Sequence, residues 1–408
     1  MFVCGLITSA VCVSSIGGGQ FFGSRCFMKI LYVIGDLSIG GAEVFTKNIS
    51  IAITNFGATV EIACFDESRF LADELEAAGV VIHSLGKARF SFLTSAYEIS
   101  KIVQDRKIDV IHAHSFSAAM RVVCSQVMGS KAITVMTYHN LGYEAYPPKN
   151  IYKKIRRFAE GLIFRSFFDH WIAVSSAAAD SYKYHYGHLE VEVIHNGIDL
   201  KCAVVARAQS HSETWEKFEV ITKGPVIILP GRLVWEKGHQ IFISSMIKII
   251  EFYPDALALI VGDGPLLNEL IKYSRDTKVI NNIKFMPGLS QEDLFALICS
   301  TDVVVIPSLS EGYGLLVAEA MALGVAVVCS DIKAIREVVG GDDNALLFQS
   351  GNSDLLASNI LQLLDDTGKR TSLGAKALVR AERELSIQIV ARRHLDRYQQ
   401  LLLNRKKC

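Results

Sequence analysis

From Met28 onward the chain alternates runs of four to seven β-branched and aliphatic residues with longer stretches of helical period. No other feature constrains the fold as strongly. Strands separated by helix-length segments cannot pair as tight hairpins, so they wind into parallel sheets covered by helices. The pattern predicts strands at 29–34, 59–65, 80–85, 109–113, 132–138, 170–174 and 191–195, and a second series near 226–230, 257–261, 283–286, 303–306, 326–329 and 345–348. After about residue 352 only helical pattern remains.

The rhythm breaks in the polar stretch Ala208-Gln209-Ser210-His211-Ser212-Glu213-Thr214 and resumes at Pro225. The expected fold is α/β, with two Rossmann-like domains facing a central cleft. Residues 28–200 form the first domain, 201–224 a linker, 225–387 the second domain, and 388–408 a C-terminal helix and basic tail, the helix long enough to return to the first domain. With 408 residues, half of them hydrophobic, the chain has material for two cores. Sheets of this kind bind ligands beyond the carboxyl ends of their strands, so the chemistry is expected in the cleft.

Residues 1–27 are apolar and rich in Gly, Ser and Cys, but lack the basic n-region of a secretory signal. They read as a doubtful extension, and Met28-Lys29-Ile30-Leu31-Tyr32-Val33-Ile34 as a true first strand; a start at Met28 is favoured over a cryptic export or anchoring peptide. Lys plus Arg and Asp plus Glu both total 42, so no charge bias points to nucleic acid. Nine cysteines form no CxxC pair and no zinc-spaced Cys/His cluster, which suits a reduced, cytoplasmic chain. No apolar stretch reaches the length of a membrane span. A soluble or peripheral protein is expected.

The segment Val303-Val304-Val305-Ile306-Pro307-Ser308 leads through Glu311-Gly312-Tyr313-Gly314 into an apolar helix from Leu315 to Leu323. A Gly loop at a helix N-terminus offers unpaired N–H groups and the positive end of the helix dipole to a diphosphate. Glu311 and Glu319 as a bare pair mean little; their setting gives them weight. Gly231-Arg232-Leu233-Val234-Trp235-Glu236-Lys237-Gly238 follows the first strand of the second domain, and its cations suit phosphate oxygens, although such residues also occur as ordinary surface charges. Gly262-Asp263-Gly264-Pro265 alone is only a turn. Gly40-Gly41-Ala42-Glu43 opens a helix after the first strand and lacks the G-x-G-x-x-G spacing of dinucleotide sites.

Glu311-Gly312-Tyr313-Gly314-Leu315 through Glu319-Ala320-Met321-Ala322 resembles the E-x7-E signature of family 4 retaining glycosyltransferases of the GT-B fold. The resemblance implies that Glu311 faces the donor sugar hydroxyls. It further implies that the Gly314-Leu315-Leu316 backbone holds the distal phosphate, and that Glu319 binds the nucleotide ribose. Gly231-Arg232 with Lys237-Gly238 is similar to the family's diphosphate clamp, and Gly262 and Gly264 to its turn near the nucleotide. Phe285-Met286-Pro287-Gly288-Leu289 resembles the segment that meets the base, and Gly41 falls in the Gly loop of the first domain. His139 matches a strand-end histidine near the reacting carbon, with His112 and His114 as structural neighbours. The implied catalytic set is His139, Arg232, Lys237 and Glu311. The donor set adds Gly41, Gly262, Gly264, Leu289, Gly312, Tyr313, Gly314, Leu315, Leu316 and Glu319.

The implied reaction moves a sugar, with UDP-sugar the expected donor, to a glycan or lipid-linked acceptor of cell-surface polysaccharide or lipopolysaccharide. No Asp-x-Asp motif is present, so no metal and no other cofactor is expected. Ser175-Ser176-Ala177 and His195-Asn196-Gly197-Ile198-Asp199 resemble further family segments and read mainly as the hinge between domains. Lys149, Lys153, Lys154, Arg156, Arg157 and Arg165 interleave with Phe158, Leu162, Ile163, Phe164, Phe167 and Phe168. That helix reads either as a membrane-surface contact or as a stripe packed on the sheet. A same-fold epimerase or phosphorylase, a silent scaffold and a bilobal binding protein are the alternatives.

Overall fold

The computed structural model describes all residues except 1–27, 39, 66–69, 87–91, 142–150, 188–189 and 406–408. The N-terminal extension, Lys149 and the end of the basic tail lie outside the described residues. Of the first domain's strands, β1 (Lys29–Ile34), β2 (Thr59–Cys64), β3 (Val81–Ser84) and β4 (Val110–Ala113) are followed by β5 (Ile133–Tyr138), β6 (His170–Ala173) and β7 (Val191–Val193). They form one parallel sheet in the order β3-β2-β1-β4-β5-β6-β7. The second domain contributes β8 (Val226–Pro230), β9 (Leu257–Val261), β10 (Ile283–Met286), β11 (Val303–Ile306), β12 (Ala326–Ser330) and β13 (Leu346–Phe348), ordered β10-β9-β8-β11-β12-β13.

The burial pattern explains why these runs are strands. Every residue of β8, β11 and β12 is buried, as expected for parallel strands covered on both faces, whereas β3 and β7 at the sheet edges are partly open. In each sheet the order reverses beside the first strand of the domain, between β1 and β4 and between β8 and β11. Those reversals splay the following loops apart at the carboxyl ends and leave a crevice.

The segment expected as a polar linker carries two short helices, Leu200–Arg207 and His211–Lys217. Its polar residues are caps: Asp199 accepts from the Lys201 amide at 2.9 Å, and Ser210 caps the second helix. Ala203, Ala206 and Val220 are buried in the core, and Trp215 Nε1 donates to the Ser300 carbonyl at 3.0 Å, so the segment packs on the second domain. The last helix, Ile387–Arg405, buries Val390, Ala391, Leu395 and Tyr398 among residues of β1 and β2 and the helix Gly41–Asn55. The chain enters it through a bridge between Ile198 and Ser386, with the Ile198 amide on the Leu385 carbonyl at 2.8 Å and the Ile387 amide on the Ile198 carbonyl at 2.9 Å.

The basic stretch forms the helix Ile151–Phe167, with Phe164 and Phe168 buried against Trp171. Among the described residues no helix is long and apolar enough to cross a membrane.

Candidate active site

The loop after β11 reaches the helix Leu315–Ala322 through Gly314, which holds φ at 110° and is followed by no side-chain cap. A left-handed residue at that point favours glycine. The Val317 and Ala318 amides return to the Gly314 carbonyl, and the first N–H groups of a helix have no intrahelical partner, so the helix start at Leu315 and Leu316 has the chemistry to accept an anion.

Beside it, a 3-10 turn Trp235–Lys237 places the Lys237 ammonium 2.6 Å from Glu311 Oε1, which also accepts from Ser308 Oγ at 2.8 Å. Both charged side chains are largely withdrawn from water. Arg232 keeps its side chain exposed at the same wall. Glu43 of the first domain is pushed above the usual carboxylate range by burial, against the opposing pull of its own backbone amide and of Arg232. Burial also raises the Glu319 carboxyl to about 7, with Lys237 pulling the other way. An edge of Glu319 still faces the cleft.

Arg232, Lys237, Glu311 and Glu319 share a cleft of about 330 Å³ with Gly41, His139, Leu289, Gly312, Tyr313, Leu315 and Leu316. The domains meet closely here: a Cβ on Gly41 would stand 3.5 Å from Leu315 Cδ1, and one on Gly312 would be driven into the His139 carbonyl. His139 is held neutral by burial, its pKa lowered to about 4. Its Nε2 lies 3.0 Å from His114 Nδ1, while His112 is engaged by Tyr398 at 2.6 Å and Thr137 at 2.7 Å. The histidine cluster is thus braced by the last helix. Among the described residues no group of three or more His, Cys, Asp or Glu could hold a metal ion.

Two expected donor residues stand elsewhere. Gly262 and Gly264 do not line the cleft. Gly262, at φ 148°, lies against the Gly231 carbonyl, and Gly264 lies under the Leu233 backbone. The Asp263 carboxylate accepts from the Gly288 amide at 2.9 Å, which braces the loop carrying Leu289. The turn is scaffold for both loops. Gly262→Ala is therefore expected to lower stability by about 2 kcal/mol or more, through steric overlap and backbone strain. A denaturation midpoint equal to wild type would contradict this packing.

Sequence reasoning missed Val44, Gln291, Leu294 and Phe295, which also line the cleft, as does Asn196 of the segment read mainly as the hinge. Gln291 and Leu294 open the helix Gln291–Cys299, and the Ser290 cap before them was the available signal.

The model of the glycosyl transferases group 1 family matches residues 211–380, and that of glycosyltransferase family 4 matches residues 39–201. A GDP-mannose-dependent monoacylated phosphatidylinositol monomannoside mannosyltransferase of Corynebacterium glutamicum is 28% identical over 311 residues, covering 74% of this chain and 78% of the relative. A UDP-Gal:α-D-GlcNAc-diphosphoundecaprenol α-1,3-galactosyltransferase of Escherichia coli is 26% identical over 284 residues, covering 67% and 71%. Anabaena HepE in complex with UDP superposes with a TM-score of 0.77 at 20% identity, over 91% of this chain and all of that one. Two parallel-sheet domains, a cleft assembled from the loops of both, and family matches on either side of the hinge agree: the chain is a glycosyltransferase and belongs to the group 1 glycosyltransferases of family 4, on the GT-B fold.

Proposed function

We propose that the protein is a retaining glycosyltransferase that moves a hexose from a nucleoside diphosphate sugar, a UDP-sugar, to a glycan or lipid-linked acceptor in cell-surface polysaccharide or lipopolysaccharide biosynthesis. The observation that carries the reading is one cleft holding Arg232, Lys237, Glu319 and the open helix start at Gly314 opposite Gly41 and His139. The nucleotide sugars named for the two curated relatives, UDP-Gal and GDP-mannose, and the UDP bound by HepE support a nucleoside diphosphate as the common element.

In this reading Arg232, Lys237 and the helix N-terminus neutralise the departing diphosphate, where negative charge builds in the transition state. Glu319 takes the ribose hydroxyls, Glu311 the sugar hydroxyls, and the neutral His139 offers Nδ1, buried and without a protein partner, to the sugar. The bond from the anomeric carbon to the phosphate oxygen breaks as the acceptor oxygen attacks the same face, and the acceptor proton passes to the leaving phosphate. No side chain is assigned as a covalent nucleophile, in contrast to retaining glycosidases. The chemistry requires no metal.

Peripheral contact with the cytoplasmic face of a membrane fits the exposed Ile155, Leu162 and Arg165 of the helix Ile151–Phe167. None of the five cysteines among the described residues is in a disulfide, which suits a reducing compartment.

Release of nucleoside diphosphate from UDP- and GDP-sugars, with a bacterial membrane-lipid extract as acceptor source, tests the function. The expected result is acceptor-dependent release that survives excess EDTA, with the anomeric configuration of the donor kept in the product. Sugar epimerisation, phosphorolysis or an inverted product would overturn it.

A further inference from the structure

Around the cleft, the first domain grips the donor loop of the second. The helix Ser176–Tyr186 begins directly behind β6, and its own cap, Ser175, accepts from the Ala178 amide at 3.0 Å. That leaves the Ser176 and Ala177 amides to be satisfied. Their partner comes from the other domain: the carboxylate of Glu337, on the helix Lys333–Val339, accepts from the Ser176 amide at 2.7 Å, the Ser176 hydroxyl at 2.6 Å and the Ala177 amide at 3.2 Å. His195 Nε2 lies 3.1 Å from the same carboxylate.

The grip extends to the cleft wall. Ser175 Oγ donates to the Gly312 carbonyl at 2.6 Å, so a single hydroxyl caps its own helix and holds the donor loop. The His195 ring stacks on Tyr313 with centroids 5.5 Å apart, and Gly312 sits against the His139 backbone with no room for a Cβ. Lys333, one turn before Glu337, pairs with Asp180 at the surface. Although burial works against the charged form, the hydrogen bonds from Ser176, His195 and Ala177 hold the Glu337 carboxyl below its usual range.

We propose that Glu337 and Ser175 are positioning residues forming an interdomain clasp, which closes the two domains and fixes the Gly312-Tyr313 segment in its donor-competent place. Every clasp bond crosses between domains, so opening the cleft replaces all of them with water together. The helix start exchanges a carboxylate for solvent, and Gly312 loses the hydroxyl that holds it. Closure and assembly of the donor loop are thereby one event. The catalytic consequence rests on the glycosyl-transfer reading given above; the clasp itself rests only on the contacts.

The test uses the full chain, its Glu337→Ala variant and the isosteric Glu337→Gln. Small-angle scattering measures the radius of gyration, about 22 Å for a compact chain of this length, without ligand and with UDP, alongside transfer kinetics and UDP titration. Glu337→Ala is expected to stay expanded by roughly 1 Å or more, to lose on the order of 10- to 100-fold in kcat, and to bind UDP within about threefold of wild type. Glu337→Gln keeps one acceptor for the Ser176 amide, so it recovers part of both losses and excludes misfolding as the cause. Wild-type compaction and kcat in Glu337→Ala would overturn the proposal, as would a loss of UDP binding that accounts for the whole defect. Should wild type bind no nucleoside diphosphate, the function reading fails. The ligand-free scattering comparison still decides the clasp, for which equal radii are the overturning result.

Discussion

Lys237→Ala is expected to lower transfer by roughly 10²- to 10³-fold in kcat, the scale seen when one preorganised group facing developing charge is removed. The structure gives the reason in two steps. In the proposed reaction Lys237 stands where the departing diphosphate gathers charge, and among the described residues lining the cleft no other cation is so enclosed, since Arg232 is exposed. Its removal also strands Glu311, whose Oε1 would keep only the Ser308 hydroxyl. A partly buried carboxylate without its cation is costly, so the loop should rearrange as well. Lys237→Arg retains the charge but cannot occupy the same compact position, and a partial recovery is expected. Steady-state kinetics of both variants, with the melting curve as control, checks this; a kcat within about threefold of wild type in Lys237→Ala would remove the residue from the site.

The second large effect concerns Glu319, where function and stability oppose each other. Its carboxyl is raised to about 7, so the folded chain binds more protons than the unfolded one from the ordinary carboxylate range up to neutrality. Stability conferred by that group is therefore greatest at low pH and falls as pH rises through the window. Glu319→Gln removes the titration while keeping the shape. It should stabilise the protein at pH 8 by at most about 3 kcal/mol, an upper bound because an edge of the side chain faces the cleft, and by much less at pH 5. The same variant should weaken donor use by about 10²-fold in kcat/KM, since an amide accepts from two ribose hydroxyls less well than a carboxylate. Denaturation at the two pH values checks the first effect and donor kinetics the second. A pH-independent difference in stability would contradict the burial argument.

Much of this was legible in the sequence because the signals are local. β8, β9 and β11 fall on the expected residues because parallel strands covered on both faces are unbroken apolar runs bounded by turn residues, and the edge strand β10, half-buried at Lys284 and Phe285, is still bounded by the turn at Pro287-Gly288. Gly314 was readable because a loop that must turn left into a helix requires glycine, and Lys237 was singled out because its place after Gly231-Arg232 resembles the family's diphosphate clamp. At Gly262 and Gly264 the glycine signal has a packing cause: glycine marks any close approach of backbone, and in the fold the approaching group is the Gly231–Leu233 chain. The helices at Leu200–Arg207 and His211–Lys217 were hidden by their own caps, which imitate linker composition. Glu337 gave no signal: its partners lie 161 and 142 residues away, and only the folded hinge brings Ser176 and His195 to it.

Calorimetric titration of UDP, with GDP and ADP in parallel, into the chain in EDTA decides whether the cleft between the domains is a nucleoside diphosphate site worked by Lys237. Saturable binding of UDP, weakened at least about tenfold in Lys237→Ala, is the predicted result; no binding of any of the three nucleotides, or equal affinity in the variant, would contradict it.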